Sequence, residues 1–116
     1  MQRTKSGERN MGDLEQTGSA DIHQLYGVFN IVNRLGLHAR PATVFVKTAL
    51  RYDCDVAISR ASDPKEVDGK SIMGVMGLEF LYGSEMRVRV SGNEDSGRCL
   101  ENLRVLVASG FSEVWI

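Results

Sequence analysis

Residues 35–44 read Leu35-Gly36-Leu37-His38-Ala39-Arg40-Pro41-Ala42-Thr43-Val44. This order is typical of a strand end, a short turn and the opening of a helix, with His38 and Arg40 in the opening turn. The first N–H groups of a helix have no intrahelical acceptor, and the helix dipole adds partial positive charge there. Pro41 fits because a residue of the first turn loses nothing by lacking an N–H. The stretch therefore predicts a nucleophilic imidazole beside a site that favours phosphate.

A second block of sequence strengthens this interpretation. Taken alone, a histidine near a helix start is most often a surface residue, and a single short motif gives false positives. Downstream, however, the chain reads Lys70-Ser71-Ile72-Met73-Gly74-Val75-Met76. The two blocks, in this order and at this separation, resemble the HPr family, the histidine phosphocarriers of the bacterial phosphotransferase system. The resemblance extends over residues 25–110 and implies four antiparallel strands covered on one side by three helices.

Length, composition and charge exclude several classes of protein. The chain has 116 residues, which suits one domain, and 14 basic against 15 acidic side chains give a net charge of −1. This balance argues against a nucleic-acid-binding protein, which normally has a basic excess. No apolar run approaches the ~20 residues of a membrane span, and no signal peptide is evident. We therefore expect a cytoplasmic protein in which Cys54 and Cys99 are buried, reduced thiols.

The distribution of apolar residues divides the chain into a tail and one domain. Residues 1–23 contain too little apolar surface to offset their ordering entropy, so we expect a disordered tail followed by a domain of residues 24–116. In the domain the pattern predicts strand, helix, two strands, short helix, strand and long helix. An antiparallel sheet with its helices on one face, an α+β fold, satisfies these half-buried elements. Residues 111–116, with Trp115, depart from the family pattern and could alter partner choice.

Two elements carry the most specific structural expectations. The first strand, residues 25–32, is mostly apolar or aromatic, which is typical of a well-buried strand. The first helix, residues 39–52, has one face predicted to lie in the core, formed by Ala42, Phe45, Val46, Ala49 and Leu50.

A second stripe of the first helix, and the short helix after Ser71, predict a contact surface. Arg40, Val44, Lys47 and Arg51 share a basic stripe that begins at the His38 end. It is either an ordinary solvated face or a docking surface for acidic partner proteins, since charge steers encounter and fixes orientation. In the short helix, apolar residues lie on several faces of the helix, so they cannot all be buried at once. We expect an exposed, partner-binding set that contains Ile72, Met73 and Met76.

The resemblance implies specific roles for three residues. His38 would accept a phosphoryl group on Nδ1 from phosphorylated Enzyme I, charged from phosphoenolpyruvate, and donate it to sugar-specific enzyme II components such as the A component. Arg40 would offset the charge during transfer. Ser71 is a favoured helix cap, and in many relatives the matching serine is phosphorylated by a dedicated ATP-dependent kinase. The resemblance implies a monomeric carrier rather than an enzyme, with no metal and no cofactor.

Two other functions stay open at this point. One is a chiefly regulatory or nitrogen-related member of the family, acting through Ser71 and its hydrophobic patch rather than in sugar uptake. The other is a small-molecule-binding α/β domain without phosphoryl chemistry. The presence of His38 with Arg40 favours the carrier, and the sequence shows no sign of the roomy apolar pocket that a small-ligand domain requires.

Overall fold

Seven regular elements follow one another in the order that the sequence predicts. The structure, a computed structural model, describes residues 24–112. Its elements are β1 (Leu25–Asn30), α1 (Ala39–Ala49), β2 (Asp55–Arg60), β3 (Val67–Asp68), α2 (Ile72–Gly77), β4 (Glu85–Ser91) and α3 (Ser96–Ala108), with a 3-10 turn at Gly110–Ser112. The expectations for residues 1–23 and 113–116 lie outside the described residues.

The four strands form one antiparallel sheet with the order β1-β4-β2-β3. Alternation along β4 places Met86, Val88 and Val90 on one face, where all three are buried, and Arg87 and Arg89 on the other. The three helices cover the first face, so the core lies between them and the sheet. The predicted α+β fold with its helices on one side is confirmed.

The prediction of a well-buried first strand is wrong. The strand ends at Asn30, two residues early, and Tyr26 and Val28 expose 57% and 55% of their surface. The cause is the position of β1. Among residues 24–112 it lies at the edge of the sheet, and these two side chains point to the face that no helix in this range covers. Only Phe29 of β1 is fully buried.

Helix α1 packs on the sheet through the predicted face, with one exception. Ala42, Phe45, Val46 and Ala49 are all buried. Leu50 was expected beside them, but the helix ends at Ala49, and Leu50 is its C-terminal cap with an exposed side chain. These four residues anchor α1 in the hydrophobic core.

The two cysteines are buried free thiols, as predicted, and the fold brings them together. Cys54 precedes β2 and Cys99 lies on the buried face of α3. Burial, together with the interaction with the neighbouring Cys54, raises the pKa of Cys99 to about 12. The thiols therefore pack as small apolar groups rather than as reactive ones.

Candidate functional site

His38 is the N-cap residue of α1. Its backbone is extended, with φ −76° and ψ −171°, and its carbonyl oxygen accepts the first helical hydrogen bond, from the N–H of Ala42 at 3.0 Å. The imidazole itself makes no capping hydrogen bond to the helix, and the residue is half-buried. The backbone of His38 therefore begins the helix, while its ring is not committed to the capping role that Ser or Asp would fill.

The first turn of α1 has the composition of an anion site. Ala39 and Arg40 supply N–H groups at positions where a helix offers no acceptor, and the buried Pro41 has no N–H to satisfy. No acidic residue lies in this turn. The exposed guanidinium of Arg40 adds a full positive charge beside the partial charge of the helix dipole. These groups suit a dianionic phosphoryl group near His38.

The turn before His38 is fixed by the loop between α2 and β4. Leu37 donates its N–H to the carbonyl oxygen of Phe80 at 2.9 Å, and Gly36 donates to Asn33 at 2.9 Å. Gly36 has φ +73°, and a Cβ atom there would lie 2.4 Å from the Phe80 oxygen. Only glycine allows this close approach, so the two loops hold His38 at a defined position.

That loop is in turn held by Arg60, which the sequence analysis did not single out. The guanidinium of Arg60 donates to the carbonyl oxygens of Leu78 and Glu79, the latter at 2.8 Å, and lies 5.6 Å from the centre of the Phe80 ring. It thus binds the exposed carbonyls at the end of α2. Buried and exposed side chains alternate along β2, and this pattern places Arg60 on the face that the helices cover.

Two exposed apolar residues near the site were also missed. Leu81 and Tyr82 follow Phe80 directly and expose more than two-thirds of their surface. They lie on the loop that contacts the His38 turn, as does the exposed Leu35 on the other side of that contact. The sequence could have indicated them, because the apolar residues Phe80-Leu81-Tyr82 continue beyond the short helix and lead into a Gly83-Ser84 turn.

Helices α1 and α2 contact each other. The residues predicted to bind partners are exposed on these two helices and, for Arg51, just after the end of α1. Val75 is the buried residue of α2, whereas Met73 is 82% exposed. We call the exposed set the α1–α2 surface, and it consists of Val44, Lys47, Arg51, Ile72, Met73 and Met76. It combines two cations with four exposed apolar side chains on elements that contact each other.

Ser71 is the N-cap of α2, which borders this surface. Its hydroxyl oxygen accepts a hydrogen bond from the N–H of Gly74 at 3.0 Å. The preceding Lys70 donates from Nζ to the carbonyl oxygen of Tyr52 at 2.7 Å, which ties the start of α2 to the end of α1. Ser71 thus has a structural role as a cap and is half-buried next to Ile72 and Met73.

Within residues 24–112 no group of three or more His, Cys, Asp or Glu side chains could hold a metal ion. Over the same residues, no helix combines the length and the apolar character needed to cross a bilayer.

A sequence profile described as "PTS HPr component phosphorylation site" matches residues 27–109. The chain belongs to the HPr family. One similar relative is the phosphocarrier protein HPr of Pseudomonas putida, 45% identical over 83 residues, which cover 72% of this chain and 90% of the relative. The match confirms the resemblance to the HPr family that the two sequence blocks indicate.

Solved HPr structures share the fold. A phosphocarrier protein HPr from Bacillus anthracis str. Ames is 36% identical, with a TM-score of 0.66 over 72% of this chain and 96% of that one. HPr-C-His from Thermoanaerobacter tengcongensis is 34% identical, with a TM-score of 0.68 over 78% and 99%. As a member of the HPr family, the chain is a phosphocarrier of the phosphotransferase system.

Proposed function

We propose that His38 accepts a phosphoryl group from phosphorylated Enzyme I, charged from phosphoenolpyruvate, and donates it to enzyme II components, including the A components. The observation that best supports this proposal is the position of His38 at the mouth of α1, with Arg40 in the same helical turn. The carrier works as a cytoplasmic monomer. It needs no metal or cofactor, since both half-reactions use groups of partner proteins.

The transfer step follows from the chemistry of imidazole. A neutral ring is a competent nucleophile near pH 7. The lone pair of His38 Nδ1 forms a bond to phosphorus while the phosphorus–nitrogen bond of the donor histidine breaks and its electron pair returns to the donor ring. Phosphoryl transfer depends mainly on positioning and electrostatics. The N–H groups of Ala39 and Arg40 and the guanidinium of Arg40 supply that stabilisation in both directions.

Docking uses the α1–α2 surface. Lys47 and Arg51 attract acidic partners, and the exposed Met73 provides apolar contact area that adapts to different partners. Because surface charges are screened over about 10 Å at 0.1 M salt, association should slow as ionic strength rises. One surface can then serve both the donor and the recipients in turn.

The test is incubation with phosphoenolpyruvate and Enzyme I. Wild-type chain should gain an acid-labile phosphate, and His38→Ala should gain none. Arg40→Ala should accept phosphate about 10- to 100-fold more slowly, because one charge near the transferred group is lost. Arg98→Ala is the matched control, since Arg98 is an exposed arginine on α3. Failure of wild-type chain to accept phosphate from an active donor would contradict the carrier function.

We further propose that an ATP-dependent HPr kinase phosphorylates Ser71. Phosphate would add about −1.5 to −2 charge at the edge of the α1–α2 surface, where it would repel acidic partners. Mass spectrometry after incubation with a cognate kinase tests this, with Ser71→Ala as control. A chain that is modified at Ser71 but never at His38 would instead be a chiefly regulatory member of the family.

A further inference from the structure

The end of α2 is held by a side chain that comes from the sheet. α2 has six residues, two of them glycine, and a helix this short has little stability of its own. The carbonyl oxygens at the end of a helix have no donor within it. The half-buried Arg60, at the end of β2, donates from Nη2 to the carbonyl oxygens of Leu78, the cap residue, and of Glu79. The connection from α2 to β4 therefore begins at a point that Arg60 fixes.

The same guanidinium lies over the ring of Phe80, 5.6 Å from its centre. The ring is buried, and the residue before it, Glu79, has φ +52°, a conformation that residues other than glycine rarely adopt. A flat, delocalised cation over an aromatic face adds an attraction to the two hydrogen bonds. Arg60 thus holds both the carbonyl of this strained residue and the ring of the residue that follows it.

Phe80 connects this arrangement with the start of α1. Its carbonyl oxygen accepts a hydrogen bond from the N–H of Leu37 at 2.9 Å, and the buried Leu37 directly precedes His38. The approach is close, since a Cβ atom on Gly36 would lie 2.4 Å from the same oxygen. A series of contacts therefore runs from Arg60 through the Phe80 loop to His38.

We propose that Arg60 is a positioning residue for phosphoryl transfer at His38, an inference that rests on the proposed carrier function. In this step the bond from phosphorus to the donor nitrogen breaks as the bond to His38 Nδ1 forms, and the electron pair returns to the donor ring. The attacking nitrogen must meet phosphorus in line, and a displacement of about 1 Å can slow such a step about 100-fold.

Arg60 acts by keeping the Phe80 carbonyl where it binds the N–H of Leu37. Its loss should therefore lower the rate of transfer within the docked complex. Docking itself should change little, because Arg60 lies on β2 and not on the helices that carry the α1–α2 surface. This division between transfer and docking separates a positioning role from a role in binding the partner.

Single-turnover transfer from phosphorylated Enzyme I, held in excess over the chain, measures the two separately. Arg60→Met keeps an apolar stem and removes the donors. At about 0.1 M salt its saturating rate constant should fall about 10- to 100-fold, while the Enzyme I concentration at half-saturation changes by less than about twofold. Arg60→Lys keeps a cationic donor without the flat face and should lie between the two. Arg89→Met is the matched control and should behave as wild type, since Arg89 lies on the other face of the sheet and binds Glu66 through two hydrogen bonds.

Amide hydrogen exchange gives a second readout that needs no partner protein. In Arg60→Met the amide of Leu37 should lose about tenfold more protection than the amide of Val88, which lies in the central strand and reports opening of the whole domain. Arg60→Lys undergoes the same comparison, so the test stands if the methionine variant does not fold.

The outcomes distinguish this inference from the carrier function. Equal saturating rates for wild type and both Arg60 variants, with His38 still the acceptor, would overturn the inference alone. An equal loss of protection at Leu37 and Val88 would overturn it as well, because a general loosening of the fold would then explain a slower rate. Wild-type chain that gains no phosphate beside an active donor would overturn the carrier function, and the inference with it.

Discussion

Leu37 donates its backbone N–H to the carbonyl oxygen of Phe80 across 2.9 Å. This bond joins the residue before His38 to the loop after α2, although the two are far apart in the sequence. Just upstream, Arg60 donates to the carbonyl oxygen of Glu79. The position of the candidate nucleophile thus depends on a loop that contributes none of the proposed catalytic groups.

Replacing Gly36 by alanine should disturb this contact. The new Cβ would lie 2.4 Å from the Phe80 oxygen, and alanine is strained at φ +73°. We expect a loss of about 1–3 kcal/mol in the free energy of unfolding, measured by urea denaturation. Gly77→Ala is the control, since nothing lies within 4 Å of its Cβ, and it should be neutral or stabilising by up to ~1 kcal/mol. Equal stability of Gly36→Ala and wild type would refute the expectation.

Replacing Glu79 by glycine should stabilise the protein. Glu79 has φ +52°, a left-handed conformation that costs a non-glycine residue about 1–2 kcal/mol. Part of that gain is lost to the greater entropy of glycine in the unfolded chain, so we expect a net increase of about 0.5–1 kcal/mol by urea denaturation. Glu79→Ala removes the same carboxylate without relieving the backbone and should show no such gain. A similar gain in both variants would attribute the effect to charge instead.

Substitutions of Ser71 should separate its cap from its proposed regulation. Ser71→Ala loses the hydrogen bond from Gly74 and should lower stability by about 1 kcal/mol. Ser71→Asp keeps a capping oxygen and should remain near wild-type stability, measured in the same urea titration. If charge at this position hinders docking, only the aspartate variant should slow phosphate uptake from Enzyme I. Equal uptake rates for the two variants would contradict that role.

Stability should fall in alkaline solution because of Cys99. In the unfolded chain its thiol ionises near the ordinary value of 9.0, whereas burial raises the pKa in the folded protein to about 12. Between these values the unfolded state loses the proton first, so the free energy of unfolding falls as pH rises, by at most about 1.4 kcal/mol per pH unit for this group. Urea titrations at pH 8, 9 and 10 should show a shallower decline for Cys99→Ala. Parallel curves would show that this thiol does not contribute.

The sequence predicted the elements whose packing is decided locally. Met86, Val88 and Val90 alternate cleanly because a central strand with one covered face imposes that period. The burial of β1 could not be predicted in the same way. Its apolar composition suits either a central or an edge strand, and strand order depends on partners distant in the chain.

The candidate site shows the same difference between features set by neighbouring residues and features set by residues distant in the chain. His38 and Arg40 were predicted from a short motif together with the resemblance to the HPr family, and both lie at the start of one helix. Arg60 was missed because its partners are 18 and 19 residues away, and nothing local shows that an arginine near the end of β2 will reach the end of α2. The contact between Cys54 and Cys99 was unpredictable for the same reason.

The pairing of β1 with β4 has a consequence for synthesis of the chain. Leu25 lies opposite Val90, so the strand made first must wait for the strand made last before the sheet can close. The histidine motif is synthesised early, yet the N–H of Leu37 cannot bond to its native acceptor until Phe80 has been synthesised. Incomplete products that end before Phe80 would therefore lack the finished turn that precedes His38. If His38 is the phosphate acceptor, as proposed, a ribosome-bound chain would accept phosphate only late in the translation of the domain.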